Sequence, residues 1–177
     1  PIKEQIDLLV KLVPNAKTVG VLYTSSEDNS ILQAKLAKEA IEALGLTYTE
    51  VTVTNSNDVQ QATQAIVGKC DAIYIPTDNT FASAMPVVHG VTSQSKTPVI
   101  CGESGMVQGG GLATLGINYY DLGYQTGLMA VKILKGEAKP ATMPIESASG
   151  FDFAINGTVA EEIGITIPAD LQQYIIK

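Results

Sequence analysis

Apolar positions recur at two different periods along this 177-residue chain, and the switching between them predicts its elements. Ile2, Ile6, Leu9 and Val13 repeat at helical spacing until Pro14-Asn15 ends the run. Thr18 to Tyr23 is short, apolar and β-rich, and predicts a first strand. Helical spacing returns with Leu32, Leu36, Ala40 and Ala43, closed by Gly45 as a C-terminal cap. Thr47 to Val53 then alternates, with Tyr48, Glu50 and Thr52 on one face. Asn57 is expected to cap a helix carrying Val59, Ala62 and Ile66 that stops at Gly68, and Ala72 to Ile75 reads as the third strand.

The second half is less uniform. Thr80 to Ser93 has a helical pattern interrupted by Pro86, which predicts a kink or two short pieces. Pro98 to Cys101 is the fourth strand, Gly102 to Gly111 a glycine-rich loop, and Leu112 to Asn118 the fifth strand. A strong helix over Asp121 to Lys135 ends at Gly136, and Pro140 and Pro144 mark an extended connector. Phe151 to Asn156 reads as a short strand, followed by small helices at Thr158 to Ile163 and Pro168 to Ile175. Strands alternating with helices imply βαβ units and a parallel sheet with right-handed crossovers. The expected fold is α/β: a doubly wound, five-strand parallel sheet over residues 1–118, with an irregular carboxy-terminal appendage.

Composition narrows the functional classes. A hydrophobic fraction of 45% and a charged fraction of 16% fit a globular chain, not a disordered one. A net charge of −7 argues against a nucleic-acid partner, which calls for a basic patch. No apolar run approaches the roughly 20 residues needed to cross a bilayer. The chain begins at Pro1 without a signal peptide, and the expectation is a trimmed or mature fragment. Cys70 precedes the third strand and Cys101 ends the fourth, which places the thiols on the order of 10–15 Å apart at opposite ends of the sheet. A disulfide needs Cα atoms within about 7 Å, so both thiols are expected free and mostly buried.

Candidate chemistry lies where strands end. Tyr23-Thr24-Ser25-Ser26-Glu27-Asp28-Asn29-Ser30 follows the first strand, and Pro76-Thr77-Asp78-Asn79-Thr80 follows the third. In open parallel sheets, ligands sit outside the carboxyl ends of the strands. Ser25, Ser26 and the helix start near Asn29 suit a carboxylate or phosphate, with helix capping as the alternative reading. Asp78 suits an ammonium or hydroxyls, with capping of the next helix equally open, and Asn79 and Thr80 can assist either job. Glu103 and Ser104 complete a polar rim after the fourth strand. Tyr119, Tyr120 and Tyr124 are core residues by default, though Tyr119 or Tyr120 can also pack against a ligand.

Catalytic signatures are missing from the sequence. Gly109-Gly110-Gly111 matches neither dinucleotide nor P-loop spacing, and Gly102-Glu103-Ser104-Gly105 has the wrong spacing for a nucleophile elbow. A phosphoacceptor receiver domain needs an acidic pair closing the first strand, which Tyr23-Thr24-Ser25 does not supply. His89 is the only histidine and falls within a helix, so a structural or solvent role is expected, with no metal site, no cofactor and no catalytic residue.

Taken together, Leu12 to Tyr23, the Ser26-Glu27-Asp28-Asn29-Ser30 element, Thr54 to Ala62, Tyr74 to Asn79 and Ile117 to Gly127 resemble the substrate-binding proteins of ABC importers. The resemblance is to the tryptophan/tyrosine-type group with the type I periplasmic-binding-protein fold, and it runs over nearly the whole chain. It implies two lobes that close on a small ligand by hinge motion. Ser25, Ser26, Asn29, Asp78, Asn79 and Glu103 would then face the cleft, with Tyr119 beside them. The implied ligand is an amino acid, aromatic ones included. The implied partner is a membrane permease, and the implied location is periplasmic, or lipid-anchored on the outer face of the cytoplasmic membrane.

Members of that group are roughly twice this size. The resemblance therefore implies one lobe over residues 1–118, a hinge crossing and helix over 119–150 that packs on the other lobe, and a return segment over 151–177. The apolar residues Leu122, Tyr124, Leu128, Val131 and Leu134 then need cover, and a swapped or ordinary homodimer is one expectation. Two rival readings share the fold class: the sensing core of a LacI-like regulator and a flavodoxin-like enzyme.

Overall fold

The computed structural model describes residues 1–176; Lys177, the last residue of the expected return segment, lies outside the described residues. The elements run in chain order as helix α1 (Ile2–Leu12), strand β1 (Thr18–Thr24), α2 (Asp28–Ala43), β2 (Thr47–Val53), a 3-10 turn (Ser56–Asp58) and α3 (Val59–Val67). They continue as β3 (Ala72–Ile75), α4 (Asn79–Ser95), β4 (Val99–Cys101), α5 (Ser104–Gln108), β5 (Ala113–Ile117) and α6 (Tyr119–Leu134). The last are β6 (Phe151–Asn156), α7 (Gly157–Ile163), a 3-10 helix (Ala169–Tyr174) and β7 (Ile175–Ile176). The sheet has seven strands in the order β2-β1-β3-β4-β5-β6-β7. Registers are parallel for β1 with β2 and with β3, for β3 with β4, and for β4 with β5.

Side chains along each central strand alternate between two cores, as the period of two requires. Val19, Val21, Ala72 and Tyr74 join the core under α1 and α2. Leu22, Ile73 and Ile75 join the core under α3, α4 and α5. Helices thus cover both faces, the doubly wound arrangement expected. Gly20 makes close approach possible: a Cβ there would lie 2.8 Å from both the Cys70 Sγ and an Ile66 side-chain carbon. Cys70 and Cys101 are both free, Cys101 fully buried.

Five differences from the sequence expectations have physical causes. The sheet has seven strands instead of five, because β6 and β7 extend it. Ala154, Ile155, Val159 and Ala160 bury in the two cores, so this stretch is not an irregular appendage. β7 is two residues long, too short to leave a periodic signal. Helix α4 is continuous through Pro86, since Pro86 and Ala82 are both on its exposed side, where a carbonyl that loses its helical N–H partner can be solvated. The glycine-rich loop contains α5, because Glu103 accepts from Gly105 N and Met106 N while Met106 and Val107 bury. The cap after β2 is Asn55, whose Oδ1 accepts from Asn57 N at 2.9 Å, and not Asn57. Finally, α2 buries Ser30, Ala34, Ala37 and Ile41. The small alanines let the helix approach the sheet, and Leu32 and Leu36 stay exposed.

The chain divides into two compact units. One comprises Pro1–Gly116 with the stretch from Phe153 onward, and the other is Ile117–Asp152. Within the second unit, Asn118 Oδ1 caps α6 by accepting from Asp121 N at 3.0 Å. Gln125 Nε2 donates to Glu146 at 2.8 Å. None of the sixteen residues of α6 is buried.

Candidate functional site

The chain leaves β1 toward β2 on one side and leaves β3 toward β4 on the other. The carboxyl ends of β1 and β3 therefore flank a topological switch point, the crevice where open α/β sheets bind ligands. Both polar clusters meet there.

Asp78 is the knot between them. It is 3% exposed, and its Oδ2 accepts from Thr24 N at 2.7 Å. Its Oδ1 accepts from Thr24 Oγ1 at 2.8 Å and from Phe81 N at 3.0 Å, the last as the cap of α4. A buried carboxylate with three donors is satisfied where it stands. The capping alternative describes its internal role, and its oxygens are occupied within the fold.

The two loops are tied at further points. Asn29 Nδ2 donates to Thr77 O at 2.8 Å, Gln33 Oε1 accepts from Thr77 N at 3.1 Å, and Gln33 Nε2 donates to Thr77 Oγ1. Ser25 N and Oγ both donate to Val53 O, at 2.9 and 3.2 Å. Glu27 reaches across to the first turn of α4. Its Oε2 accepts from Asn79 N and Nδ2 at 3.1 and 3.0 Å, and its Oε1 accepts from Thr80 N and Oγ1, both at 3.3 Å. Burial opposes its charge, but the donors from Asn79 and Thr80 outweigh that and hold the carboxyl below its ordinary value.

The β4–α5 loop is pressed against the same place. A Cβ on Gly102 would lie 2.3 Å from Thr77 N, so only glycine permits this approach. Gln5 supports it from α1. Its Nε2 donates to Gly102 O at 3.2 Å and Leu115 O at 2.8 Å, and its Oε1 accepts from Tyr74 OH at 2.7 Å. Burial pushes the Tyr74 hydroxyl pKa up, so it stays a donor.

The structure thus brings Ser25, Ser26, Asn29, Asp78 and Asn79 to one edge, with Glu103 on the adjoining loop. Ser25, Ser26, Asn29 and Asn79 are exposed there, while Asp78 is not. Tyr119 belongs to the second unit, at the start of α6. Glu27, Thr24, Thr77, Gln33 and Gln5 were not singled out from sequence. Thr24, Glu27 and Thr77 lay within the two polar runs without a role of their own, and Gln5 left a signal as a polar residue beside Ile2, Ile6 and Leu9 on an apolar helical face. His89 lies elsewhere, its Nε2 2.8 Å from Glu162 Oε2. Among the described residues, no group of three or more His, Cys, Asp or Glu is close enough to hold a metal ion. No helix among them is long and apolar enough to cross a membrane.

The comparisons with known proteins agree with this architecture. The family described as ABC transporter substrate binding protein matches residues 1–176. The chain belongs to that family. A tyrosine-binding protein of Clostridioides difficile is 34% identical over 175 residues, covering 98% of this chain and 50% of that protein. The ABC domain from Streptococcus pneumonia, solved in complex with L-Trp, superposes with a TM-score of 0.91 at 41% identity, covering 99% of this chain and 60% of that one. The ligand-free, open structure of a substrate-binding protein with adhesive properties from Clostridium difficile has a TM-score of 0.79 at 41% identity, covering 98% of this chain and 59% of that one. The chain thus spans about half to three-fifths of the length of these relatives. A LacI-family regulator from Bifidobacterium animalis is 15% identical with a TM-score of 0.64, a likeness of fold alone.

Proposed function

We propose that this chain is a ligand-binding lobe of an ABC-importer receptor, which holds an amino acid, tryptophan or tyrosine above all, at the β1/β3 rim. The observation that carries the reading is the interlocked pair of loops at the switch point, joined by Asp78 and Thr24, with Ser25, Ser26, Asn29 and Asn79 left facing outward. A pre-tied rim of this kind binds without loop ordering, which conserves affinity. Two relatives of matching sequence are a tyrosine-binding protein and a domain solved with L-Trp, and they supply the ligand class. The role is capture and delivery, without a catalytic step, to a membrane permease on the outer side of the cytoplasmic membrane.

In this reading, residues 1–118 form the lobe, the 119–150 segment crosses a hinge and carries α6 to a second lobe, and residues 151–177 return. Glu103, which caps α5 at the end of the β4–α5 loop, extends the ligand's surroundings on this lobe. The exposed side chains Tyr124, Leu128 and Leu134 of α6 are then covered by that second lobe or, in this chain alone, by a swapped or ordinary second copy.

Thermal denaturation with a panel of amino acids and sugars tests the function. L-Trp or L-Tyr at 100 times its Kd adds about 2.7 kcal/mol of stability and raises Tm. A shift with sugars and none with any amino acid overturns the reading.

A further inference from the structure

We propose that Glu27 sets the polarity of the rim, so that the α4 side receives the ammonium end of an amino acid and not its carboxylate. This rests on the amino-acid reading above and adds a direction to it. The start of a 17-residue helix such as α4 is ordinarily attractive to anions, because its first N–H groups lack partners. Here that position is filled from within the chain. Asp78 takes Phe81 N, and Glu27 takes Asn79 N and Thr80 N together with the Thr80 hydroxyl. A ligand carboxylate arriving at this point meets two carboxylates and finds the donors already engaged.

The second consequence concerns Asn79. A carboxylate is acceptor-only, so it fixes the amide with its NH2 toward Glu27, at 3.0 Å. The Oδ1 is then turned away from Glu27, and among the described residues no donor reaches it. Asn79 is exposed, and its outward group is an acceptor. The surroundings have the same sign: residues 24–30, 76–80 and 102–105 contain Glu27, Asp28, Asp78 and Glu103 but no lysine, and the chain has no arginine. The bidentate arginine clamp that proteins use for carboxylates is absent from this chain. Glu27 is therefore a positioning residue. It acts on the ligand through Asn79, by choosing which amide atom faces out.

The experiment compares three probes on the full chain by NMR-detected titration: L-tryptophan, tryptamine, which keeps the ammonium, and indole-3-propionate, which keeps the carboxylate. Wild type is expected to bind tryptamine at least tenfold more tightly than indole-3-propionate. Glu27→Gln can donate to the Asn79 oxygen and let the amide turn. It is expected to reduce that ratio at least fivefold, and Glu27→Asp, still acceptor-only, to restore most of it. A merely structural role would weaken all three probes alike and leave the ratio unchanged. An unchanged ratio in Glu27→Gln, or tighter indole-3-propionate binding in wild type, overturns the proposal even when L-tryptophan binds. Absence of L-tryptophan and L-tyrosine binding overturns the amino-acid reading itself and this inference with it. Should Glu27→Gln unfold, the wild-type ratio alone decides.

Discussion

Helices α4 and α6 are nearly the same length and begin the same way, yet they stand in opposite environments. Asp78 caps α4 and Asn118 caps α6, each accepting from the N–H three residues on. Both carry long apolar side chains. α4 buries Phe81, Ala84, Met85, Val88 and Thr92, whereas α6 buries nothing. Local chemistry thus makes two equivalent helices, and burial separates them. The first is part of the rigid base beneath the rim. The second presents Tyr120 at 82% and Leu134 at 85% exposure, a face whose apolar area contributes to stability only when something covers it.

The contrast can be broken most forcefully at the core. Phe81→Ala is expected to lower stability by about 3–5 kcal/mol, while Leu134→Ala in α6 changes it by less than about 0.5 kcal/mol. Urea denaturation of the two variants checks this, and comparable losses would mean that α6 is packed in solution. Next in size, Asp78→Ala should cost about 2–4 kcal/mol, because it removes a cap and strands the buried Thr24 donors. Asn118→Ala, which loses an exposed cap, should cost about 0.5–2 kcal/mol. The caps look alike in geometry, so equal losses would show that the Asp78–Thr24 bonds add nothing beyond capping.

The smallest effect is a pH dependence. Glu27 is held below its ordinary value of 4.5 by its Asn79 and Thr80 donors, against the opposing effect of burial. Its contribution is present above the unfolded value and fades as the pH falls through the lower folded one. Wild type should therefore lose stability more steeply than Glu27→Gln in denaturant series below pH 4.5, and parallel slopes would remove Glu27 from the account. Asp71 follows the same sign, lowered mainly by Lys17 N and Thr18 N, and serves as the background slope.

How much was legible varies by element. The bounds of β2, β3 and β6 follow directly from apolar alternation between polar breaks, because each strand's pattern is local. The repeat Leu32, Leu36, Ala40, Ala43 located α2 but not its buried face. A helix with two apolar stripes packs by the one whose small residues allow close approach, and that depends on the sheet it meets. The candidate rim was visible as two polar runs at strand ends. Its interior was not. Asp78 as an occupied buried knot, Glu27 as an occupant of the α4 terminus and Gln5 as a strut 97 residues away from Gly102 are long-range pairings. No spacing rule reports them.

The sequence by itself determined the alternation of strands and helices, and with it the doubly wound class, since side-chain periodicity and breakers act over a few residues. It also determined that polar groups gather at strand ends. Tertiary structure alone decided which of those groups face outward, because an oxygen's availability depends on donors brought in from other loops. Ser25 and Asn79 stay accessible while Asp78 disappears, although all three are equally polar in the chain. The difference is that a buried carboxylate must be satisfied internally, and only the folded arrangement supplies Thr24 to do so.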